Sequence, residues 1–431
     1  MRMRDPLSHL KTGGEGPFDT PRNSITGADM RLLFLTSLLI PLLAPSAAGQ
    51  PGGGEEPLPS RSTETAATTI GGYGNALFQR DLNAEMSRMN FERFVLFVGH
   101  KFRSSLSLFS ELEVEDAKVT GGESGGEFAL EQAYLRFDLD RHNYFVAGLF
   151  LPRIGIMNED HLPTGFNGNE RTVVETYVIP SAWRELGVGY YGSLEGTPFS
   201  YSLALLNGLR AENFEHGSGI RMGRAEGRDA PADNLALTCA LQFRAGNFLA
   251  QVSGYVGGTA GSTTHQADSL TLPSGPFGTP VMVGEASVQY EEGGVRVRML
   301  GAVVSIPDAE GINRAYANNT PQKEYGLYAE IGYDLFTTIS PSQQLIAFVR
   351  YERLDLNAVI PPNGIPDGTL DQHHLVVGLT YLPHPNVVTK LDVRFVRTGE
   401  PNPALIVDPG PAAVSYRTSN ALVSIGIGFS F

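Results

Sequence analysis

The sequence has 431 residues and a formal net charge of -14, which disfavours nucleic acid and anionic lipid as partners. Glycine is abundant at 50 residues, tyrosine and phenylalanine number 16 and 23, and the sequence contains no internal run of eighteen apolar residues. This composition excludes a helical membrane bundle, but it is compatible with a transmembrane β-barrel, in which only every second residue faces lipid.

The N-terminal part carries the features of an export signal. An apolar run from Leu32 to Leu43 follows Arg31 and precedes the small residues 46–49. A basic start, a short apolar middle and a small-residue exit are typical of a secretory signal peptide. We expect translation to begin at Met30; a long basic region before the apolar run is the alternative. The expected organisation is a mis-called N-terminal extension (1–29), a signal peptide (30–48), a flexible leader (49–70) and a β-barrel (71–431).

From residue 71 onward, short apolar–polar alternations predict strands separated by turn-forming residues. Most have a length near the roughly 9–11 residues that a tilted strand needs to cross a bilayer. The sixteen predicted strands lie near 71–79, 91–102, 105–117, 127–139, 143–152, 185–192, 199–206, 234–245, 247–257, 281–290, 294–304, 323–334, 343–353, 372–381, 387–398 and 419–431.

The connections between these strands alternate between short and long. Tight turns on one rim and long loops on the other are typical of outer-membrane barrels, whereas a soluble sandwich does not sort its loops in this way. The long connections include 153–184, 207–233, 258–280, 305–322, 354–371 and 399–418. We therefore predict an all-β fold, a transmembrane antiparallel β-barrel of about sixteen strands with long extracellular loops and short periplasmic turns. Residues 172–179 could add a hairpin and raise the number to eighteen.

The alternation also assigns the two faces of the strands. In the fifteenth predicted strand Leu391 and Phe395 oppose Lys390, Asp392 and Arg394. A basic residue at the bilayer midplane costs roughly 2–4 kcal/mol, so the charged face must point inward. The interior is therefore expected to be polar and hydrated. In the fourth predicted strand Glu131 falls on the outward face, so either it lies at the rim or the predicted register is wrong by one residue.

The longest connection, 153–184, is the candidate for narrowing the channel. A loop of this length in a compact fold is usually functional or disordered, and its apolar residues, including Trp183, argue against disorder. We expect it to fold into the lumen, with a lid over the outer mouth as the alternative. Opposed rows of basic and acidic side chains there would sort ions by sign. The candidate pore-lining residues are Arg136, Arg153, Glu159, Glu170, Arg171, Arg184, Arg296, Arg298, Arg350, Lys390 and Arg394; for each of them the alternative is a wall ion pair without a transport role.

The sequence offers little support for an enzyme. His161 and the adjacent pair His373 and His374 lack the spacing of a metal site, and neighbouring histidines in a strand face opposite ways. No phosphate-cradling loop or nucleophile elbow is found. We therefore predict no catalytic residue, no metal and no cofactor.

Three stretches resemble a known family. Residues 127–137 (EFALEQAYLRF), 147–155 (AGLFLPRIG) and 183–188 (WRELGV) are similar to phosphate-selective porins of the O and P type. The resemblance implies a sixteen-stranded barrel in the bacterial outer membrane, commonly a homotrimer, that passes small anions. The terminal Phe431 resembles the signal by which the barrel-assembly machinery recognises its clients.

The sequence departs from the family in its few lysines and its acidic total. The expected function is therefore a broader porin in contact with outer-membrane lipid, which passes small hydrophilic solutes and anions such as phosphate. A non-conducting barrel that acts as a surface receptor or anchor is the alternative, and a secreted soluble β protein is a third hypothesis.

Overall fold

The computed structural model describes residues 67–116, 128–260, 270–340, 342–405 and 416–431. The predicted extension and signal peptide, and most of the predicted leader, lie outside the described residues. Within the described ranges, no helix is both long enough and apolar enough to cross a membrane.

The described part of the chain forms sixteen antiparallel strands in one closed barrel, in which each strand pairs with its neighbours in sequence and β1 pairs with β16. The predicted fold class is confirmed. The strands are β1 Ala67–Asp81, β2 Met86–Arg103, β3 Leu106–Glu115, β4 Phe128–Asp138, β5 Asn143–Phe150, β6 Glu185–Ser193, β7 Phe199–Asn207, β8 Leu235–Ala245, β9 Phe248–Gly257, β10 Val281–Glu292, β11 Val295–Ser305, β12 Lys323–Asp334, β13 Gln344–Val359, β14 Asp371–His384, β15 Val387–Thr398 and β16 Ser419–Ser430.

The seam between the first and last strands closes the barrel. The pairing runs from Tyr73 opposite Ser430 to Asp81 opposite Leu422. Next to Tyr73 and Ser430, the backbone N of Gly72 donates a hydrogen bond to the Phe431 carbonyl at 3.1 Å. The backbone N of Phe431 donates one to the Gly72 carbonyl at 2.9 Å. Closure satisfies the backbone hydrogen bonds that an open edge would leave exposed to lipid.

The two faces of the barrel differ as the alternation predicts. On β15, Lys390, Asp392 and Arg394 are buried on the inner side, whereas Leu391 and Phe395 are exposed on the outer side. Aromatic side chains gather on the outer face near the short turns, as in the aromatic girdle of membrane barrels. They include Phe145, Tyr190, Tyr201, Phe243, Tyr290 and Tyr333.

Some strand bounds differ from the prediction, and two open alternatives are resolved. The first strand pair is longer, because β1 and β2 are joined by residues 82–85 alone, and β13 extends to Val359. The eighteen-strand alternative is wrong, because Val174–Val178 forms a π-helical turn instead of a hairpin. The register doubt at Glu131 has a local cause: a bulge between Glu111 and Leu112 leaves Glu131 unpaired, so it shares the inner face with its neighbour Gln132.

Short helical segments occur only in the connections of the described chain. The longest is α1, Ala309–Tyr316; single turns lie at Ala211–Asn213, Arg221–Gly223, Gly368–Leu370 and Pro403–Leu405. Apolar side chains of several long connections, including Leu209, Phe214, Ile220 and Ile312, are buried in one cluster with inward-facing wall residues. The extracellular end of the barrel is therefore packed by its loops.

Candidate functional site

The connection between β5 and β6, residues 151–184, is named L3 because it is the third connection on the long-loop side. Its apolar residues Ile154, Val174, Ile179 and Trp183 are almost fully buried in the same cluster as inward-facing residues of the wall. The Trp183 ring lies 4.6 Å from the ring of Tyr255, an inward residue of β9. L3 thus packs against the inner face of several strands.

Charged residues at paired positions of neighbouring strands form a row on the inner wall that L3 packs against. We name this row the rung. Arg298 of β11 is the cross-strand partner of Glu330 of β12, which is in turn the partner of Arg350 of β13. The rung continues through Val376 of β14 to Arg394 of β15. Opposite charges at directly paired positions attract, so the alternation along this rung stabilises the local register.

Arg350 is the centre of the contacts between the rung and L3. Its guanidinium lies 3.0 Å from a Glu330 oxygen and 2.8 Å from a Glu352 oxygen. It also donates to the backbone carbonyls of Asn167 at 3.2 Å and Glu170 at 3.1 Å. The planar, five-donor guanidinium can make these four contacts at once, and the side chain is only 1% exposed.

Two further carboxylates bind the same part of L3. Asp392 of β15 accepts hydrogen bonds from the backbone N (2.7 Å) and the side-chain amide (2.6 Å) of Asn169. Glu170 reaches the wall in the other direction, with an oxygen 3.1 Å from Arg394 Nη2, and it accepts a hydrogen bond from Gln79 at 3.2 Å. Together with the Arg350 contacts, these interactions hold residues 167–170 against β1, β13 and β15.

The start of L3 contacts two more basic residues of the wall. Arg298 donates to Asp160 at 2.9 Å and to the Gly165 carbonyl at 2.7 Å. Lys390 Nζ lies 3.7 Å from the centre of the Phe166 ring, within the range of a cation–π interaction.

Glu175 fixes the fold of L3 itself. One carboxylate oxygen accepts hydrogen bonds from the backbone N of Ile156 (2.6 Å) and Met157 (2.7 Å), and the other accepts from the Tyr328 hydroxyl at 2.8 Å. Burial raises the pKa of Glu175 to about 7, while the Met157 and Tyr328 hydrogen bonds act in the opposite direction. This group therefore changes charge near neutral pH.

The wall across the lumen is acidic. Glu111, Glu113 and Glu115 of β3 and Glu131 of β4 are buried on the inner face, and these strands lie eight positions away from β11 and β12 in the ring of sixteen. Two of these acidic residues have basic partners: Arg184 of L3 forms an ion pair with Glu131, and Arg93 of β2 lies 3.8 Å from Glu113.

Arg171 and His161 of L3 lie near this acidic side. Burial lowers the pKa of Arg171, and the positive charge of Arg93 lowers it further. Burial also lowers the pKa of His161, whose ring meets that of Tyr73 edge to face at 6.1 Å between centroids. His161 is therefore neutral at physiological pH.

The remaining predicted residues lie elsewhere. Arg153 and Glu159 pair with each other within L3, and Glu159 also accepts a hydrogen bond from Gln242 at 2.7 Å. Arg136 lies near a short turn, where it pairs with Asp138 at 2.7 Å and stacks on an aromatic ring. Arg296 also lies near a short turn, where it pairs with Glu291 at 2.8 Å. The structure thus brings Arg298, Arg350, Lys390, Arg394 and Glu170 together and places Arg136 and Arg296 apart from them.

Several residues of the site were not among the predicted ones. Glu352 lies two positions from Arg350 on the same strand face, so the alternation could have identified it. Asp392 was placed on the inward face by the alternation but was not among the candidate pore-lining residues. No pattern in the sequence indicated that Asn167 and Asn169 belong to the site. Tyr328 is one of many inward aromatic residues, and only the fold shows that it contacts Glu175.

Most of the interior charges are buried against partners of opposite sign, which differs from the expected wall in open contact with water. Arg296, Arg298 and Arg136 keep about a fifth of their side chains exposed. A cavity between L3 and β3–β6 is lined by Arg136, Arg153 and Glu159. In the described chain no three His, Cys, Asp or Glu side chains are arranged to hold a metal ion.

Comparisons with known proteins agree with the fold. No family model matches the sequence. The chain is similar to an uncharacterized protein of Aquifex aeolicus (strain VF5), with 29% identity over 336 residues, which cover 75% of this chain and 74% of the relative.

Among solved structures, OmpF of Salmonella typhi in complex with daunomycin superposes with a TM-score of 0.51 and 13% identity over 84% of this chain and 97% of OmpF. The trimer form of in-vitro folded OmpT of Vibrio cholerae superposes with a TM-score of 0.50 and 12% identity. The superposition covers 85% of this chain and 100% of OmpT. At such identities the likeness concerns the fold.

The closed sixteen-stranded barrel, its apolar outer face and its aromatic girdle define a transmembrane β-barrel protein. The protein is located in the bacterial outer membrane, as predicted. The more specific resemblance to phosphate-selective porins stays a prediction.

Proposed function

We propose that the protein is a porin that lets small hydrophilic solutes diffuse passively across the outer membrane, without a chemical reaction. The observation that carries the proposal is the inner wall, where charged rows of both signs face a lumen occupied by L3. A sixteen-stranded barrel is wide enough to enclose an aqueous channel when its centre is not filled by side chains. A segment such as L3 would then set the width of the passage.

The arrangement of charges supports a weak ion preference. The basic side chains of the rung have carboxylate partners in Glu330, Glu352, Glu170 and Asp160. Because these opposite charges are paired, they would produce only a weak net electric field in the rest of the lumen. Small anions such as phosphate would pass with other solutes, and the partly exposed arginines near the short turns would give a modest preference for anions.

The direct test is a planar-bilayer recording with purified protein. A porin produces stepwise increases in conductance, and the reversal potential in a salt gradient gives the sign of the preferred ion. Failure of the folded protein to produce steps would contradict the proposal.

A second function is favoured by one observation. L3 and the apolar residues of other long connections pack the interior tightly, and the charged residues of the rung other than Arg298 are almost fully buried. This packing supports a non-conducting barrel that displays its loops as a receptor or anchor. A folded protein that stays silent in bilayers would favour this alternative.

We also propose a homotrimer. The support is that the OmpT of Vibrio cholerae with this fold was solved in a trimer form. The mass of the detergent-solubilised protein, measured by native mass spectrometry, tests the proposal, and a purely monomeric species would contradict it.

A further inference from the structure

A row of basic residues crosses the outer face of three neighbouring strands near the extracellular rim. Arg353 of β13 is the direct cross-strand partner of His373 of β14, which is the partner of Arg397 of β15. We name these three residues the rim row. Directly paired residues have Cβ atoms about 4.5–5.5 Å apart, so the three side chains form one continuous group.

The level of the rim row in the membrane follows from its neighbours. The next outward-facing row toward the periplasm is apolar or aromatic, with Tyr351, Leu375 and Phe395 in register; all three are exposed on the lipid side. On the other side β14 begins at Asp371 and β15 ends at Thr398. The rim row therefore lies where the hydrocarbon ends and the lipid headgroups begin.

Contacts hold two members of the row in place. The Tyr351 hydroxyl lies 2.7 Å from His373 Nδ1, and Arg353 Nε lies 3.5 Å from an Asp371 oxygen. A second carboxylate, Asp355, is the cross-strand partner of Asp371. Arg397 is exposed and forms no ion pair in the described part of the chain.

Basic residues at this level are confined to one side of the barrel. On β6 to β11, the outward positions nearest the long connections are all uncharged: Leu186, Leu205, Leu235, Val256, Met282 and Ser305. Asp371 offsets part of the row, because its carboxylate lies 3.5 Å from Arg353 Nε and 3.8 Å from His373 Nε2. Arg397, at the end of the row, forms no ion pair in the described part of the chain, so a counter-charge for it would come from outside.

We propose that the rim row binds the phosphate group of a lipid in the outer leaflet. A guanidinium group can bind a phosphate through two parallel hydrogen bonds. Basic residues near a headgroup layer contribute about 1 kcal/mol each to the attraction of anionic lipid. Carboxylates such as Glu330, Glu352 and Asp392 face the lumen, and Asp371 and Asp355 lie beside Arg353 and His373, whereas Arg397 is at the other end of the row. The site is separate from the proposed pore.

The test compares binding of diphosphoryl lipid A and of its fully dephosphorylated form to the purified, folded barrel in detergent by native mass spectrometry. The wild type should bind the phosphorylated lipid more tightly. Arg353→Gln and Arg397→Gln should each weaken that binding about fivefold, the factor that corresponds to 1 kcal/mol.

Arg80→Gln is the matched control, because Arg80 is an exposed arginine of β1 that lies off the row and bonds to Ser87. It should leave lipid binding unchanged. Arg397→Gln breaks no ion pair of the described chain, so the test holds even if Arg353→Gln folds poorly. Equal binding of the two lipids, or wild-type affinity in the folded Arg397→Gln variant, would overturn the proposal. Unchanged bilayer conductance in the same variants would separate this site from the pore.

Discussion

Glu170 and Arg394 form a buried ion pair that joins L3 to the barrel wall. Their side chains are each 3% exposed, and the charged atoms are 3.1 Å apart. Removing one partner of such a pair leaves a buried charge without compensation, which typically costs 3–5 kcal/mol. The attachment of residues 167–170 should therefore depend on this pair.

The first prediction follows from that dependence. Glu170→Gln and Arg394→Gln should each loosen L3 and raise the hydrogen exchange of backbone amides 167–173, measured by mass spectrometry in detergent. The increase in hydrogen exchange of the double variant should be smaller than the sum of the increases in the two single variants, because the double variant leaves neither charge unpaired. Arg397→Gln, on the outer face of the same strand, is the control. Unchanged exchange in both single variants would show that the pair does not hold L3.

The second prediction concerns ion preference. Arg296 and Arg298 are 22% and 18% exposed, more than the buried members of the rung. Replacing both with glutamine should move the reversal potential in a salt gradient toward cations. The difference should shrink at high salt, since the Debye length is only about 10 Å at 0.1 M and shortens further above it. The same shift in an Arg80→Gln control would remove these residues from the selectivity hypothesis.

The strands of this protein were predictable because the inner and outer faces impose different chemistry on alternate residues. On β15 the alternation of Lys390, Asp392 and Arg394 with apolar residues gave both the strand and its orientation. At Glu131 the same logic failed, because a bulge shifts the register and periodicity cannot signal an unpaired residue. Residues 172–179 also read as a strand, yet burial against β12 and β13 favours a helical turn.

The candidate site was predictable only in part. Wall arginines such as Arg350 were identified from the polar strand faces. The contacts that they make with L3 were not predicted, because Asn167 and Glu170 contact Arg350 across about 180 positions of sequence. A pattern along one strand contains no information about which loop atoms will face it.

The third prediction concerns pH. The carboxyl of Glu175 has its pKa raised by burial from 4.5 to about 7. Between these values the folded chain binds more protons than the unfolded chain, so folding stability falls as pH rises. The contribution is fully present below pH 4.5 and is lost as the pH passes about 7. Charged neighbours of the group are Glu285 and Arg298.

Glu175→Gln is the variant that isolates this effect, since glutamine can still accept the hydrogen bonds from Ile156 and Met157 but cannot titrate. The measurement is the free energy of unfolding of both proteins by urea in detergent. The value for the wild type should fall relative to that of the variant as the pH rises from 4.5 to 7. Tyr328→Phe is the companion variant, because it removes a hydrogen bond of about 1 kcal/mol and keeps the titrating group. A difference that does not vary with pH would contradict the assignment to Glu175.

The fourth prediction concerns assembly. The Phe431 side chain is exposed beside Phe94, while its backbone closes the seam with Gly72. Phe431→Ala keeps the backbone hydrogen bonds, so the refolded barrel should keep nearly its wild-type stability. Its amount in the outer membrane of cells should fall several-fold if the terminal aromatic is the assembly signal. Phe429→Ala is the matched control, because it removes an outward aromatic from the same strand without changing the terminal residue. Equal membrane levels of the two variants would show that the position of the ring at the terminus has no special role.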